Sequence, residues 1–126
     1  MSGLPPFELG HPRTELRRKL VDAVLRGDKT ATAGLLADYE AEGEQPEAVG
    51  TRCVLLGYHD EPVATVEVTD SRVVPAAEID ETFARDEGEG FESVEDWRVA
   101  HERFFGRAIG PKTQIVAVRF RLVETP

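Results

Sequence analysis

The sequence predicts an α+β domain in which an open barrel or strongly bent sheet is flanked by helices. Three observations predict it. The runs Thr51–Tyr58, Val63–Val74 and Gln114–Val123 carry strand character, and the last alternates with a period of two. Segments between them repeat their apolar residues at helical spacing. At 126 residues the chain matches one independent core, roughly 100–150 residues, so residues 1–126 read as one domain. An α/β sandwich fits the same order of elements.

The elements follow in order. From Pro12 to Arg26, Leu16, Leu20, Ala23 and Val24 share one helical face; Pro12 suits the first turn, and Gly27 suits a left-handed C-terminal cap. Gly34 to Ala41 is expected to form a short second helix, and the Glu/Gly/Pro-rich stretch Glu42–Gly50 a loop. Thr51–Tyr58 and Val63–Val74 read as a hairpin turned by His59-Asp60-Glu61-Pro62. Ala76–Arg85 is expected to be helical, and Glu87–Glu92 an acidic loop interrupted by glycine. Ser93 opens the next helix, because Ser93 and Asp96 resemble a capping box with Asp in place of Glu. Val94, Trp97, Ala100, His101, Phe104 and Phe105 follow at helical spacing, and Gly106 to Pro111 end the run. In Gln114–Val123, Val116, Val118, Phe120 and Leu122 fall on one side and Arg119 and Arg121 on the other. The three strands are expected to share one curved sheet, with the first helix packed across an opening.

Composition narrows the function. Hydrophobic residues at 40% with 31% charged residues describe a globular chain, not a disordered one. No apolar run approaches the roughly 20 residues that cross a bilayer, so no membrane partner is expected. The start MSGLPPFELG lacks the pattern of a secretory signal, and the single Cys53 has no partner for an internal disulfide; both point to the cytoplasm. The net charge of −9 divides into −5 over residues 1–77, −8 over 78–96 and +4 over 97–126. That balance argues against tight binding to duplex DNA. A basic patch from Arg98, Arg103, Arg107, Lys112, Arg119 and Arg121 can still hold a nucleotide or short RNA. A positive group inside an acidic rim favours small or short ligands.

Three segments carry candidate chemistry. In Gly27-Asp28-Lys29-Thr30-Ala31-Thr32 a lysine and two hydroxyls leave a glycine-capped helix end, where backbone can approach a ligand closely. Such a turn presents an ammonium and a hydroxyl to a phosphate or carbonyl, and a lysine whose pKa is lowered by burial can activate a threonine. The alternative is a solvated turn with Thr30 or Thr32 starting a strand. In Ala84-Arg85-Asp86-Glu87-Gly88-Glu89-Gly90, interleaved glycines can aim one acid into a cleft; the alternative is a flexible acidic loop. Around Trp97, His101, Phe104 and Phe105, the aromatics read as core before base-stacking platform, and His101 as a core residue, an acid/base group or a ligand contact, in that order. His11, His59 and His101 have no metal-ligand spacing, so neither a metal nor another cofactor is expected. Cys53 reads as a small buried hydrophobe.

Gly27-Asp28-Lys29-Thr30-Ala31-Thr32 resembles the G-x-K-x-x-T signature of ASCH domains, which have a curved β-barrel fold related to the PUA group. Phe7-Glu8-Leu9-Gly10, Glu87-Gly88-Glu89-Gly90 and Trp97-Arg98-x-x-His101-x-x-Phe104-Phe105 extend the resemblance to a bacterial ASCH subfamily of this length. The resemblance implies a PUA-like barrel flanked by helices that binds RNA or nucleotide-like ligands. One smaller branch of the family hydrolyses the amide of N4-acetylcytidine and related nucleosides; another includes ribonucleases. Matched to the first branch, Lys29, Thr32 and Glu87 become the catalytic residues, with Glu89 two positions from Glu87. Gly27, Thr30, Glu89, Trp97, Arg98 and His101 are then expected to bind substrate. The partner implied is a nucleotide, a modified nucleoside or a short RNA; ribonuclease action on single-stranded RNA, or RNA binding without chemistry, are the alternatives. The Leu35–Gly50 insertion and the aromatic helix after Ser93 depart from the smaller branch.

Overall fold

The computed structural model describes residues 4–7, 9 and 15–124. Their elements are β1 (Pro6–Phe7), α1 (Glu15–Arg26), β2 (Ala31–Leu35), α2 (Leu36–Ala41), β3 (Arg52–Leu56), β4 (Pro62–Pro75), a 3-10 turn (Ala76–Glu78), α3 (Glu81–Asp86), α4 (Val94–Phe105) and β5 (Gln114–Glu124). All five strands form one sheet in the order β1-β3-β4-β5-β2, with β1 parallel to β3 and the other ladders antiparallel. The three strands read from sequence share that sheet. β4 is long enough to pair with β3 through its first half and with β5 through most of its length. Register shifts at Thr65/Val66 and Val68/Asp70 mark bulges, which bend a strand and increase its twist.

The expected barrel does not close. Among the described residues β1, two residues long, pairs only with β3, and β2 pairs only with β5, so both remain edges. The first helix therefore covers a sheet face and not the mouth of a closed barrel. Its Leu20, Val21 and Val24 pack with Phe7, Cys53, Leu55, Val66 and Phe120. A second core joins Ala31, Leu35, Ile115 and Ala117 to Ile79, Phe83, Ala84 and Trp97, which sets α3 and α4 against the β2–β5 end of the sheet.

Other differences have local causes. Gly34 and Leu35 extend β2 instead of beginning a helix, because the ladder from Ala31↔Arg119 to Leu35↔Ile115 claims their backbone. The stretch Ala76–Arg85 breaks at Ile79 and Asp80; the Asp80 side chain accepts from Phe83 N–H at 2.8 Å and restarts the helix as α3. β5 is buried on both faces in its first half, since Ile115 and Ala117 lie opposite Val116 and Val118; the polar face begins only at Arg119. Ser93 caps α4 as expected, while Asp96 accepts from Glu92 N–H at 3.2 Å, one residue short of a full capping box. Pro12 lies outside the described residues. No helix among those described is long and apolar enough to cross a membrane.

Candidate functional site

The site begins at the end of α1. Gly27, at φ 87°, donates to Val24 O at 3.0 Å, and Asp28 N–H to Ala23 O at 2.9 Å, the paired bonds of a Schellman cap. The cap turns the chain so that Lys29 leaves the helix pointing inward. Thr30 N–H then donates to Asp86 O at 2.8 Å, stapling this turn to the end of α3, and Arg119 of β5 pairs with the Asp86 carboxylate at 2.6 Å. Gly88 completes the junction: it sits at φ 69°, and a Cβ there would lie 2.5 Å from Asp28 O and 2.7 Å from Lys29 Cα. Only glycine allows α3 to end so close to the Lys29 backbone.

The Lys29 side chain is buried, with 1% of its surface exposed. Its Nζ donates to Ala31 O at 2.8 Å, to Glu87 O at 3.2 Å and to Glu89 Oε2 at 3.3 Å, one acceptor for each N–H of an ammonium. The Glu87 carboxylate, also 1% exposed, lies 3.6 Å from Nζ. Glu87 Oε2 accepts from the Trp97 indole N–H, and Oε1 lies 3.3 Å from His101 Nε2. His101 Nδ1 is 2.8 Å from Trp97 O, one turn earlier on α4, and the two rings stack at 4.4 Å. A carbonyl facing Nδ1 and a carboxylate facing Nε2 both need a donor, so the imidazolium is the form that satisfies both contacts.

The protonation preferences diverge. Burial would push the Glu87 carboxyl up, but the hydrogen bond from His101, the Lys29 charge and the Trp97 N–H outweigh it and hold the carboxyl below the ordinary range. His101 would be lowered by burial, and its bond to Glu87 raises it instead. For Glu89 burial dominates and the carboxyl is raised, although Lys29 opposes it. Two carboxyls that share one lysine are driven apart.

These groups open onto a cavity of about 680 Å³. Lys29, Glu87 and Glu89 share its wall with Thr32, Val116 and Val118 from the sheet, while Phe91, His101, Phe104 and Phe105 line the α4 side. Tyr39 and Glu47 stand elsewhere on the wall, joined by a 2.8 Å hydrogen bond; burial, then Glu47, raises the Tyr39 phenol. Asp38 of α2 pairs at 2.5 Å with Arg107 beyond α4, and both line the cavity.

The ASCH domain family model matches residues 9–124. The chain belongs to the ASCH domain family. It is similar to the crystal structure of protein EF3133 from Enterococcus faecalis V583, with TM-score 0.86 and 26% identity over 99% of this chain and 79% of that one. The ASCH domain from Lactobacillus crispatus JV V101 aligns with TM-score 0.82 and 26% identity over 96% of this chain and 80% of that one. The hypothetical protein PH0355 shares the fold at TM-score 0.61 and 17% identity, over 83% of this chain and 92% of that one. No curated protein matches the chain.

Within this ASCH domain, Lys29, Thr32, Glu87, Glu89 and His101 all line the cavity. Arg103, Phe104, Phe105 and Arg107, also named from sequence, line it too, whereas Gly27, Thr30, Trp97 and Arg98 do not. Gly27 is the α1 cap, and Thr30 staples the turn to α3. Trp97 is fully buried and reaches the site through Glu87, while Arg98 pairs along α4 with Glu95 and Glu102. Glu8 and Gly10 of the resembling segments lie outside the described residues. Sequence reasoning missed Phe91, Tyr39 and Glu47, the last two because nothing in their spacing signals a shared wall. Among the described residues no group of three His, Cys, Asp or Glu side chains is placed to hold a metal.

Proposed function

We propose that this ASCH domain takes the base of a modified pyrimidine nucleoside or nucleotide into the cavity and hydrolyses an exocyclic amide, as the N4-acylcytidine branch of the family does. The observation that supports this best is a charged cluster of Lys29, Glu87, Glu89 and His101 buried beside an open cavity. Buried ion pairs are expensive to desolvate and add little net stability, so a cluster that also faces a ligand-sized space is better explained by chemistry. The volume lies inside the roughly 300–1,000 Å³ of small-molecule sites.

The working parts follow. The Thr32 hydroxyl attacks the amide carbonyl carbon and gives its proton to a carboxylate of the cluster, which passes it to the nitrogen as the C–N bond breaks; water then cleaves the acyl-threonine and releases the acid. Lys29 already meets three oxygens, so its part is fixed positive charge near the developing oxyanion. A second reading, binding or cleavage of single-stranded RNA, is favoured by Arg103 and the exposed Phe104 on the cavity wall, a cation beside a ring that can stack on a base.

Purified protein should be screened against N4-acylated cytidines, common nucleotides and single-stranded RNA, with and without divalent metal. Amine release from an acylated cytidine, lost in Thr32→Ala with binding retained, is the expected result. Cleavage of RNA alone moves the assignment to the second reading, and no binding by any probe removes the cavity from consideration.

A further inference from the structure

We propose that Glu89 is the carboxyl that exchanges a proton with the ligand, and that Glu87 is a positioning anion that never does. This rests on the cavity being a ligand site, and it reverses the roles that the family resemblance implies for the two acids, Glu87 catalytic and Glu89 substrate-binding.

Both oxygens of Glu87 are engaged. Trp97 donates to one oxygen, and His101 and Lys29 both face the other. Turning this carboxylate toward a ligand would strip His101 and the Trp97 indole N–H of their acceptor and take a counter-charge from Lys29, and a buried donor left without an acceptor is costly. What Glu87 does is orient: it fixes the His101 ring and draws Lys29 against the end of α3.

Glu89 stands differently. Its hydrogen-bond partner among the described residues is Lys29, through Oε2 alone, which leaves Oε1 available. Its side chain is 23% exposed and lines the cavity, against 1% for Glu87. It sits between Gly88 at φ 69° and Gly90 at φ 86°, backbone that places a side chain on the wall without a helix to carry it. The charged groups facing it are Lys29 from the α1–β2 turn, Glu87 from the end of α3 and His101 from α4. Burial and the fixed charge of Glu87 favour its neutral form, which brings proton exchange closer to neutrality, where a general acid/base works best.

The proton balance closes on this one group. As Thr32 Oγ1 bonds to the amide carbon, its proton passes to the Glu89 carboxylate. Glu89 returns that proton to the nitrogen as the C–N bond breaks, leaving an acyl-threonine and a free amine. Water then attacks the ester, gives its proton to Glu89 and releases the acid; Glu89 reprotonates Thr32.

The test has one arm that needs no turnover. Carboxyl 13C NMR of the full chain should show a glutamate titrating above the ordinary range of about 4.3, absent in Glu89→Gln, while Glu87 stays ionised at least to the ordinary range. Assigning the high titration to Glu87, or finding none, overturns the proposal. The second arm uses N4-acetylcytidine as probe: Glu89→Gln should bind within a few-fold of wild type, lose turnover by 100-fold or more and lose its pH dependence. Turnover within about threefold of wild type overturns it. If wild type turns over no acylated cytidine, the amidohydrolase reading falls while the NMR titration still decides which carboxyl exchanges protons.

Discussion

Replacing Glu87 by Gln keeps the shape and removes the charge, so it isolates what the buried anion holds. Glu87 is 1% exposed and faces Lys29 at 3.6 Å and His101 at 3.3 Å. Removing one partner of a buried pair costs about 3–5 kcal/mol. The lower end applies, because Lys29 retains Glu89 and two backbone carbonyls. With an unfolding entropy of about 2.1 cal/mol/K per residue, a chain of this length loses about 4 °C of Tm per kcal/mol. A loss of about 3 kcal/mol is therefore a fall of roughly 12 °C, read by calorimetry at pH 7. The pH dependence carries a sign. A carboxyl depressed in the fold contributes stability that is present above its unfolded value, about 4.3, and lost as pH falls through the lower folded value. The gap between wild type and Glu87→Gln should thus close in acid, and it should survive added salt because burial limits screening. A fall of under 3 °C at pH 7, or a gap still fully open at pH 3, refutes the assignment of Glu87 as a structural anion.

Further outcomes follow from the same geometry. Gly27→Ala meets open space and strains only the left-handed backbone, about 1–2 kcal/mol, whereas Gly88→Ala also drives a Cβ into Asp28 and Lys29; thermal melts should rank Gly88→Ala clearly worse, and equal losses would remove the close approach as the reason for glycine. His101 is raised in the fold, so its contribution is complete below its unfolded value, about 6.5, and disappears as pH rises through the folded value. The Tm advantage of wild type over His101→Gln should accordingly shrink between neutral and alkaline pH, and an advantage that grows there contradicts the imidazolium. Cys53 is buried and its thiol is raised by burial and by Glu47, so native protein should resist alkylation that proceeds readily in denaturant.

What the sequence made legible was local. The α1 apolar face, the Gly27 cap and the alternation of β5 from Val118 onward are each written within a few neighbouring residues, and each appears in the fold. Gly88 and Gly90 were legible as a device for aiming an acid, because left-handed backbone is a property of single positions. The rest depended on partners far along the chain. Nothing near Gly34 announces that β5, some eighty residues later, will claim it as strand. Trp97 and His101 spell an ordinary apolar helix face until Glu87 arrives beneath them and turns an indole N–H and an imidazole into donors. Barrel closure was the family's expectation, and two short edge strands do not meet it among the described residues.

The acidic stretch 78–96 was expected to form a rim around a positive group, and its charges are largely spent within the fold. Asp80 and Asp96 bond to helix-end N–H groups, Asp86 pairs with Arg119, Glu95 pairs with Arg98, and Glu87 is buried. Around Lys29 the charged groups on the cavity wall are His101, Glu87 and Glu89; the Asp38–Arg107 pair, Glu47 and Arg103 line it as well. A dianionic phosphate placed on Lys29 would therefore meet two carboxyls, one of them fixed as an anion, and the repulsion would offset the attraction of the lysine. A neutral amide meets no such opposition; under the proposed function its carbonyl would sit beside Lys29 and a nucleotide's phosphate would be met by Arg103, which lines the cavity and has no ion-pair partner among the described residues. Inorganic phosphate at millimolar concentration should then leave the Lys29 and Glu89 resonances unmoved and the Tm unchanged. A Tm rise of about 10 °C, as binding at about 100 times Kd would give, with shifts centred on Lys29, would mean that the lysine holds phosphate after all and that the amide chemistry is misplaced.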